Sequence, residues 1–341
     1  MGDDRTSLED FDAAAGRRQT ERLRAQLRQA EDALDDALGR LAVLEGIDRL
    51  RPRPPRWTLK KRPRTGEAVV VAMLSDCHFD EIVRPEDVAG VNAYDRTIAT
   101  ERLKCWAHRL AELPKVGPTA EVKGVVVLWG GDMMTGPIDV AHLQDAADTM
   151  FGSLLYWSEQ LAAAFTLLAD AYGAVHVPCV VGNHGRMTMK KRSHLKARDN
   201  LDWHLAHLVA RLTADDKRIT WSIDEASDAE FEVFGRRYLL THGDQARGGG
   251  GIGGVWPPIM RMTARKQQRQ AGLGRPFEHL FLGHWHQLTT GPQFTVNGSV
   301  VGYSGFSAEC NFPVEPPQQA VAYLGPDGLG WRTAIDCKEQ P

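Results

Sequence analysis

A chain of 341 residues has room for one large catalytic domain with an appendage, or for two modest domains. With 43% hydrophobic and 25% charged residues it can bury a sizeable core, and a net charge of −3 leaves only local patches to argue for a polyanion partner. Five cysteines, odd in number, scattered and without a C-x-x-C pair, exclude a disulfide framework or a structural zinc site and fit reduced thiols.

The N-terminus, "MGDDRTSLED", is acidic and lacks the apolar core of a secretory signal. The longest apolar region, Leu154 to Tyr172, carries Glu159 and Gln160 in mid-span, so it reads as a buried helix and not as a membrane span. A soluble, cytoplasmic protein is expected.

Residues 1–50 form the first expected segment. Leu23, Leu27, Ala30, Leu34, Ala37, Leu41 and Leu44 recur at steps of four and three, flanked by Arg, Glu, Gln and Asp. That seam predicts an N-terminal helix, either folded onto the main body or pairing as a short coiled coil in a homodimer. Gly39 weakens the helix by about 1 kcal/mol. Residues 51–67 follow as a basic, proline-rich linker, "RPRPPRWTLKKRPRTG" from Arg51 to Gly66, with seven Lys/Arg and no acid. It serves as a spacer or as an electrostatic arm for phosphates.

The third segment, residues 68–341, alternates strand-like and helical runs. Predicted strands are Ala68–Leu74, Gly124–Trp129, Ala174–Val181, Arg236–His242 and His279–Gly283; longer helices are expected around Arg96–Leu113 and Val140–Tyr172. This order implies an α/β fold, a layered sheet covered by helices, with its site at the C-terminal ends of the strands.

Each predicted strand ends in ligand-type residues. They are Asp76 and His78 in "LSDCHFD", Asp132 in "GGDMM", Asn183 and His184 in "GNHGR", His242 in "THGD", and His284 and His286 in "GHWH". Most lie beside a glycine that permits a tight turn. Carboxylate, imidazole and amide oxygen suit Mn²⁺, Fe²⁺ or Zn²⁺ without any thiolate. Alternation at a strand end is expected to point both members of Asp-x-His or His-x-His to one side. One aspartate can bridge two ions about 3.5–4 Å apart, the arrangement used for in-line displacement at phosphorus.

The order D-x-H, G-D, G-N-H, H, G-H-x-H, spaced by about 40 to 60 residues from Asp76 to His286, resembles that of the calcineurin-like metallophosphoesterases. The resemblance implies an αββα sandwich of two mixed β-sheets flanked by helices. It also implies two divalent metal ions, with Mn²⁺ favoured and Fe, Zn or Mg as alternatives. Asp76, His78 and His286 would hold the first, Asp132 would bridge, and Asn183, His242 and His284 would complete the second. His184 would be the catalytic, non-ligand histidine, protonating the leaving oxygen or stabilising transition-state charge, while a hydroxide attacks phosphorus in line. One departure stands out. The family usually has an acid after the third motif's histidine, and this chain has Gly185. Asp80, Asp202 and Asp244 are the candidates to orient His184 in its place.

Two further clusters bear on the substrate. "GRMTMKKRSHLKAR", Gly185 to Arg198, carries Arg186, Lys190, Lys191, Arg192, Lys196 and Arg198 with no acid, and Arg261 to Arg275 adds five more basic residues. Arg186, Lys190, Lys191 and Arg192 are therefore expected to touch substrate. With the linker, these clusters favour a nucleic-acid phosphodiester, so that the chain reads as a nuclease of the repair branch, acting on DNA or RNA. The alternatives are a phosphomonoesterase acting on phosphoproteins or nucleotides, and a non-catalytic scaffold. "RGGGGIGGVWPP", Arg247 to Pro258, is expected as a flexible lid or connector. Trp256 reads as local packing, Asn297 as a turn residue near the site, and Trp285 as facing away from the metals. The histidines outside the motifs read as core or surface residues.

Overall fold

The computed structural model describes residues 21, 23–32, 34, 66–116, 120–138, 148–192, 194–248 and 254–338. The chain divides into two units, Met1–Arg51 and Pro52–Pro341. In the first, residues 23–32 are helical, and Leu23, Leu27 and Leu34 each leave more than half of their surface exposed. The remaining seam positions, Ala37, Leu41 and Leu44, lie outside the described residues, as do linker residues 51–65.

The second unit is built on two mixed sheets. The six-stranded sheet has the order β11-β10-β1-β2-β3-β4. Its strands are β1 (Glu67–Leu74), β2 (Glu121–Trp129), β3 (Val175–Cys179), β4 (Ile219–Ile223), β10 (Gln318–Gly325) and β11 (Gly328–Asp336). β1 through β4 run parallel, and β10 pairs antiparallel with both β1 and β11. The five-stranded sheet has the order β5-β6-β7-β9-β8. It comprises β5 (Asp228–Val233), β6 (Arg236–Thr241), β7 (His279–Leu282), β8 (Thr289–Thr290) and β9 (Phe294–Val296), with β6, β7 and β9 parallel.

β1, "EAVVVAML", is buried at every position, the mark of a central parallel strand covered on both faces. Its inner side chains Val69, Val71 and Met73 join Val126 and Leu128 of β2 against Phe231, Tyr238, Leu240 and Phe281 of the other sheet. Each such fully buried side chain contributes about 1.5–3 kcal/mol. α1 (Arg96–Val116), α2 (Met150–Tyr172) and α3 (Leu201–Leu212) pack side by side on the six-stranded sheet. The α2 stripe Leu154, Trp157, Leu161, Phe165, Leu168 and Tyr172 is buried, as steps of three and four dictate. Thr149 caps the N-terminus of α2 by accepting the Gly152 N–H at 3.1 Å. α4 (Trp256–Gly272) covers the five-stranded sheet through Ile259 and Met262, which meet Leu239, Leu280 and Leu282. A short helix, α5 (Gly305–Glu309), follows.

The five predicted strands are present, and the layered αββα arrangement is observed. The glycine-rich stretch is only in part a connector. α4 begins at Trp256 with Pro257 in its first turn, where the missing N–H would have no partner in any case, while residues 249–253 lie outside the described residues. Residues 140–147 of the expected second helix also lie outside them; α2 is described from Met150.

Candidate metal centre

Parallel strands put their C-terminal ends on one edge of a sheet. β1, β2 and β3 do so in one sheet and β6 and β7 in the other, so the loops after all five can meet. The first two loops continue the ladder beyond their strands: Asp76 N–H donates to Gly131 O at 3.0 Å, His78 N–H to Asp132 O at 3.0 Å and Phe79 N–H to Met133 O at 2.8 Å. Across the other sheet Gly283 N–H donates to His242 O at 2.9 Å.

The side chains do not converge by strand alternation as expected. β1 has already ended at Leu74, and Asp76 (φ 52°), His78 (φ 43°), Asp132 (φ 50°), His284 (φ 74°) and His286 (φ 52°) all adopt left-handed backbone. Each such non-glycine residue stores of order 1–3 kcal/mol, which surrounding bonds must hold, and Asp and His tolerate it better than most.

Two groups of donors result. Asp76, His78 and His286 place one ligand atom each within 4.8 Å of one another; so do Asp132, His242 and His284. In the first group His78 Nε2 lies 3.1 Å from His286 Nε2, and His286 Nε2 lies 3.4 Å from Asp76 Oδ1. Nδ1 of His78 and of His286 are buried without a hydrogen-bond partner among the described residues. Two ring nitrogens aimed at each other can share only one proton, whereas a cation accepts both lone pairs, so this set fits a divalent ion.

In the second group His242 Nδ1 lies 2.9 Å from Gly130 O, to which it can only donate. This commits the proton to Nδ1 and turns Nε2 toward Asp132 Oδ2 at 3.0 Å and Asn183 Oδ1 at 3.3 Å. Burial opposes charge on His242, but the Asp132 carboxylate outweighs it and raises the imidazole to about 10. Burial likewise works against charge on Asp132, and His242 overrides it, holding the carboxyl well below its usual range. Burial and then His242 push His284 down to about 4. The set draws positive charge to itself and fits a second ion.

Around the donors runs a shell of buried polar groups. Asp76 Oδ2 accepts from Ser75 Oγ–H at 2.5 Å and Oδ1 from His284 N–H at 2.8 Å. Asn297 is fully buried and is no simple turn residue: its Nδ2 donates to Ser75 Oγ at 2.8 Å and to Gln319 Oε1 at 2.7 Å, and its Oδ1 accepts from Ala320 N–H at 2.7 Å. It thereby links β10 to the Asp76 loop. Two glycines make room for the carboxylates. A Cβ at Gly182 would stand 2.0 Å from Asp132 Oδ1, and one at Gly283 would stand 2.2 Å from Asp76 Oδ2.

His184 packs its ring edge-on against His78, centroid to centroid 4.8 Å, and its backbone N–H donates to Asp132 Oδ1 at 2.7 Å. Burial lowers its pKa from the usual value. None of the three candidate acids bonds its ring among the described residues. Asp80 pairs with Arg96 at 2.8 Å, and Asp244 receives Lys191 at 3.3 Å and Lys196 at 3.4 Å. Asp202 instead accepts backbone N–H groups, from Asp132 and Gly182 on Oδ2 and from Met133 and Met134 on Oδ1. Burial, then the Asp132 charge, lift its carboxyl to about 6. A Cβ at Gly185 would stand 2.5 Å from Asn200 Oδ1 and 3.0 Å from Asp202 Oδ1. The space beside Gly185 is therefore filled from the start of α3.

Of the four expected substrate contacts, Arg186 spends its guanidinium on the carbonyls of Asn183, Thr188 and Met189. Lys191 is paired with Asp244, Arg192 lies 3.9 Å from Asp199, and Lys190 is exposed. Lys191, Arg192 and Lys196 line a small pocket of about 20 Å³ together with Asn183 and Asp244. Trp285 packs against the α4 cluster, and Trp256 meets Phe294 edge-on at 5.4 Å. His176 and His279 sit in the strands beside Thr220 and Thr295, away from the donors.

Two mixed sheets with D-x-H, G-D, G-N-H, H and G-H-x-H after five converging strands are the arrangement that the resemblance to the calcineurin-like metallophosphoesterases leads us to expect. No protein-family model matches the chain, and no curated protein matches it. Among solved structures, it is similar to a predicted phosphoesterase from Streptococcus pneumoniae at 12% identity, covering 78% of this chain and 97% of that one, with a TM-score of 0.28. Vacuolar protein sorting 29 from Cryptosporidium parvum matches at 12%, 79% and 98%, with a TM-score of 0.31. A dimetal phosphatase from Danio rerio matches at 14%, 79% and 99%, with a TM-score of 0.35. Among the described residues no helix is long and apolar enough to cross a membrane.

Proposed function

We propose that this chain is a metal-dependent phosphodiesterase that hydrolyses nucleic acid. The observation that carries the reading is the pair of donor groups meeting at one sheet edge, with the His184 ring set against His78 and bonded to no carboxylate among the described residues. Asp76, His78 and His286 would hold one divalent ion, Mn²⁺ being our choice; Asn183, His242 and His284 would hold a second, with Asp132 shared. Such ions supply Lewis acidity toward water and toward phosphoryl oxygens.

The remaining work falls to the chain's own groups. The bond from His242 Nδ1 to Gly130 O keeps Nε2 aimed into the site, and the bonds on Asp76 keep its carboxylate in place. Without a carboxylate on its ring, His184 serves as a hydrogen-bond donor to the leaving oxygen, stabilising charge that develops there. Lys191 and Arg192 line the pocket beside Asn183 and would receive flanking phosphates, with exposed Lys190 preceding them in the chain. The exposed Leu23, Leu27 and Leu34 support self-association of the N-terminal helix into a homodimer, which light scattering of a Leu23→Glu/Leu27→Glu variant tests. Five free thiols suit a cytoplasmic setting.

The deciding experiment strips the protein of metal and reloads it with Mn²⁺, Mg²⁺ or Zn²⁺. It then compares bis(p-nitrophenyl) phosphate with p-nitrophenyl phosphate, followed by labelled single- and double-stranded DNA and RNA. Turnover of the diester and of a strand is expected. Turnover of the monoester alone would replace the reading with a phosphomonoesterase, and failure to bind any divalent ion would leave only a scaffold.

A further inference from the structure

The second basic cluster of the sequence folds into one wall of a groove of about 370 Å³ between α4 and the loop after β6. Gln245, Arg247, Arg261, Arg265, Lys266 and Arg269 line it, and no carboxylate does. The floor is neutralised from within: buried Lys266 donates to Asp228 Oδ1 at 2.6 Å and to Gln245 Oε1 at 2.7 Å, and Arg269 also pairs with Asp228. Arg247, Arg261 and Arg265 are exposed and have no carboxylate partner among the described residues.

Arg261, Arg265 and Arg269 stand four residues apart on α4, which puts them on one face about 6 Å apart along the axis. Like charges at that spacing cost a helix a few tenths of a kcal/mol per pair, and α4 carries no acid to offset them. The position of the groove matters as much as its charge. Gln245 follows His242 by three residues, so the near end of the groove begins within about 10 Å of a metal-centre backbone position. The same loop presents Asp244 to the cavity lined by Lys191, Arg192 and Lys196. Cations therefore flank the His242 loop on both sides.

A small phosphomonoester carries a single phosphate, which the donors would occupy, leaving the α4 guanidiniums without one. A strand with a phosphate at every nucleotide would reach them in succession. We infer that the groove along α4 is the track for the sugar-phosphate backbone of a polynucleotide strand that enters the metal centre past Gln245, an inference that rests on the phosphodiesterase reading of that centre.

The test uses the full chain without metal, so that no strand is cut, and a fluorescein-labelled single-stranded oligonucleotide titrated at several salt concentrations. The Arg261→Gln/Arg265→Gln variant should bind about tenfold more weakly at low salt and lose about 1.4 from the slope of log K against log salt, two phosphate contacts at about 0.7 each. Lys104→Gln, on the helix α1 over the other sheet, is the control and should keep the wild-type slope. The unfolding midpoint verifies that the α4 variant is folded; if it is not, Arg247→Gln alone should still remove about 0.7 from the slope. Unchanged affinity and slope in the folded variants would overturn the groove. Hydrolysis of bis(p-nitrophenyl) phosphate by the wild-type, metal-loaded chain is scored separately. If that fails while the slope falls as expected, the groove stands and the reading of the centre falls.

Discussion

The Asp202 carboxylate holds the backbone that carries Asp132: its Oδ2 accepts the Asp132 N–H at 2.8 Å and the Gly182 N–H at 2.9 Å, and its Oδ1 accepts those of Met133 and Met134 at 3.1 and 3.2 Å. Four buried donors depend on one side chain. Asp202→Asn supplies a single oxygen and turns an NH₂ toward N–H groups, so it should cost about 3 kcal/mol. The displaced loop should bind Mn²⁺ some 10- to 100-fold more weakly. Chemical denaturation and calorimetric titration check the two effects, and wild-type Mn²⁺ affinity would show that Asp202 does not position the donors.

Donor residues and His184 should separate when each is removed. Asp132→Ala and His284→Ala are expected to lose bound metal and all turnover. His184→Ala should keep its metal and lose turnover by about 10²- to 10⁴-fold, the range for a positioned proton-transfer or hydrogen-bonding group. Metal content after gel filtration distinguishes them, and equal loss in all three would place His184 among the ligands.

Gly182→Ala is predicted to damage the centre without touching a donor. The added methyl would meet Asp132 Oδ1 at 2.0 Å and Asp132 N at 2.3 Å, so the carboxylate must move. Gly272→Ala, at the end of α4 with nothing within 4 Å, is the matching control. A drop in metal affinity of at least about tenfold should appear in the first variant only.

Stability should fall with acid for a reason outside the metal centre. His176 and His279, each 2% exposed, are held down to about 4, His176 by burial and His279 by burial and then Arg332. The folded state thus binds fewer protons than the unfolded one between about pH 6.5 and 4. Their contribution is complete above that window and is lost as pH falls through it, on the order of 3 kcal/mol for each histidine. Urea denaturation of metal-free protein from pH 7.5 to 4.5 measures the slope, which His176→Gln/His279→Gln should flatten. An unaltered slope would assign the acid sensitivity to other groups.

What could be read from residue order, and what could not, divides along physical lines. Strands such as "AVVVAML" and "GVVVLW" are continuous apolar runs that stop at a ligand-type residue beside a glycine, so both the strand and its product are local signals. β5, "DAEFEV", alternates over only six residues, and β8 has two; neither rises above loop composition. Asp202 looks like an ordinary first-turn acid of α3, and "VNGS" like a turn around Asn297. Their roles exist only once segments 70 and 222 residues away arrive beside them. The opposite failure is instructive too. Arg186 heads the most basic run beside the site, yet its guanidinium closes its own loop.

Both donor groups draw on loops from both sheets: His286, after β7 of the five-stranded sheet, joins Asp76 and His78, and His242 and His284, after β6 and β7, join Asp132, after β2 of the other sheet. An ion in either group would act as a clasp between the two leaves, adding to the polar bonds that already join them at this edge, such as His242 Nδ1 to Gly130 O and His284 N–H to Asp76 Oδ1. Loading should therefore slow hydrogen exchange in β1, β2, β6 and β7 together, and chelation should loosen them together.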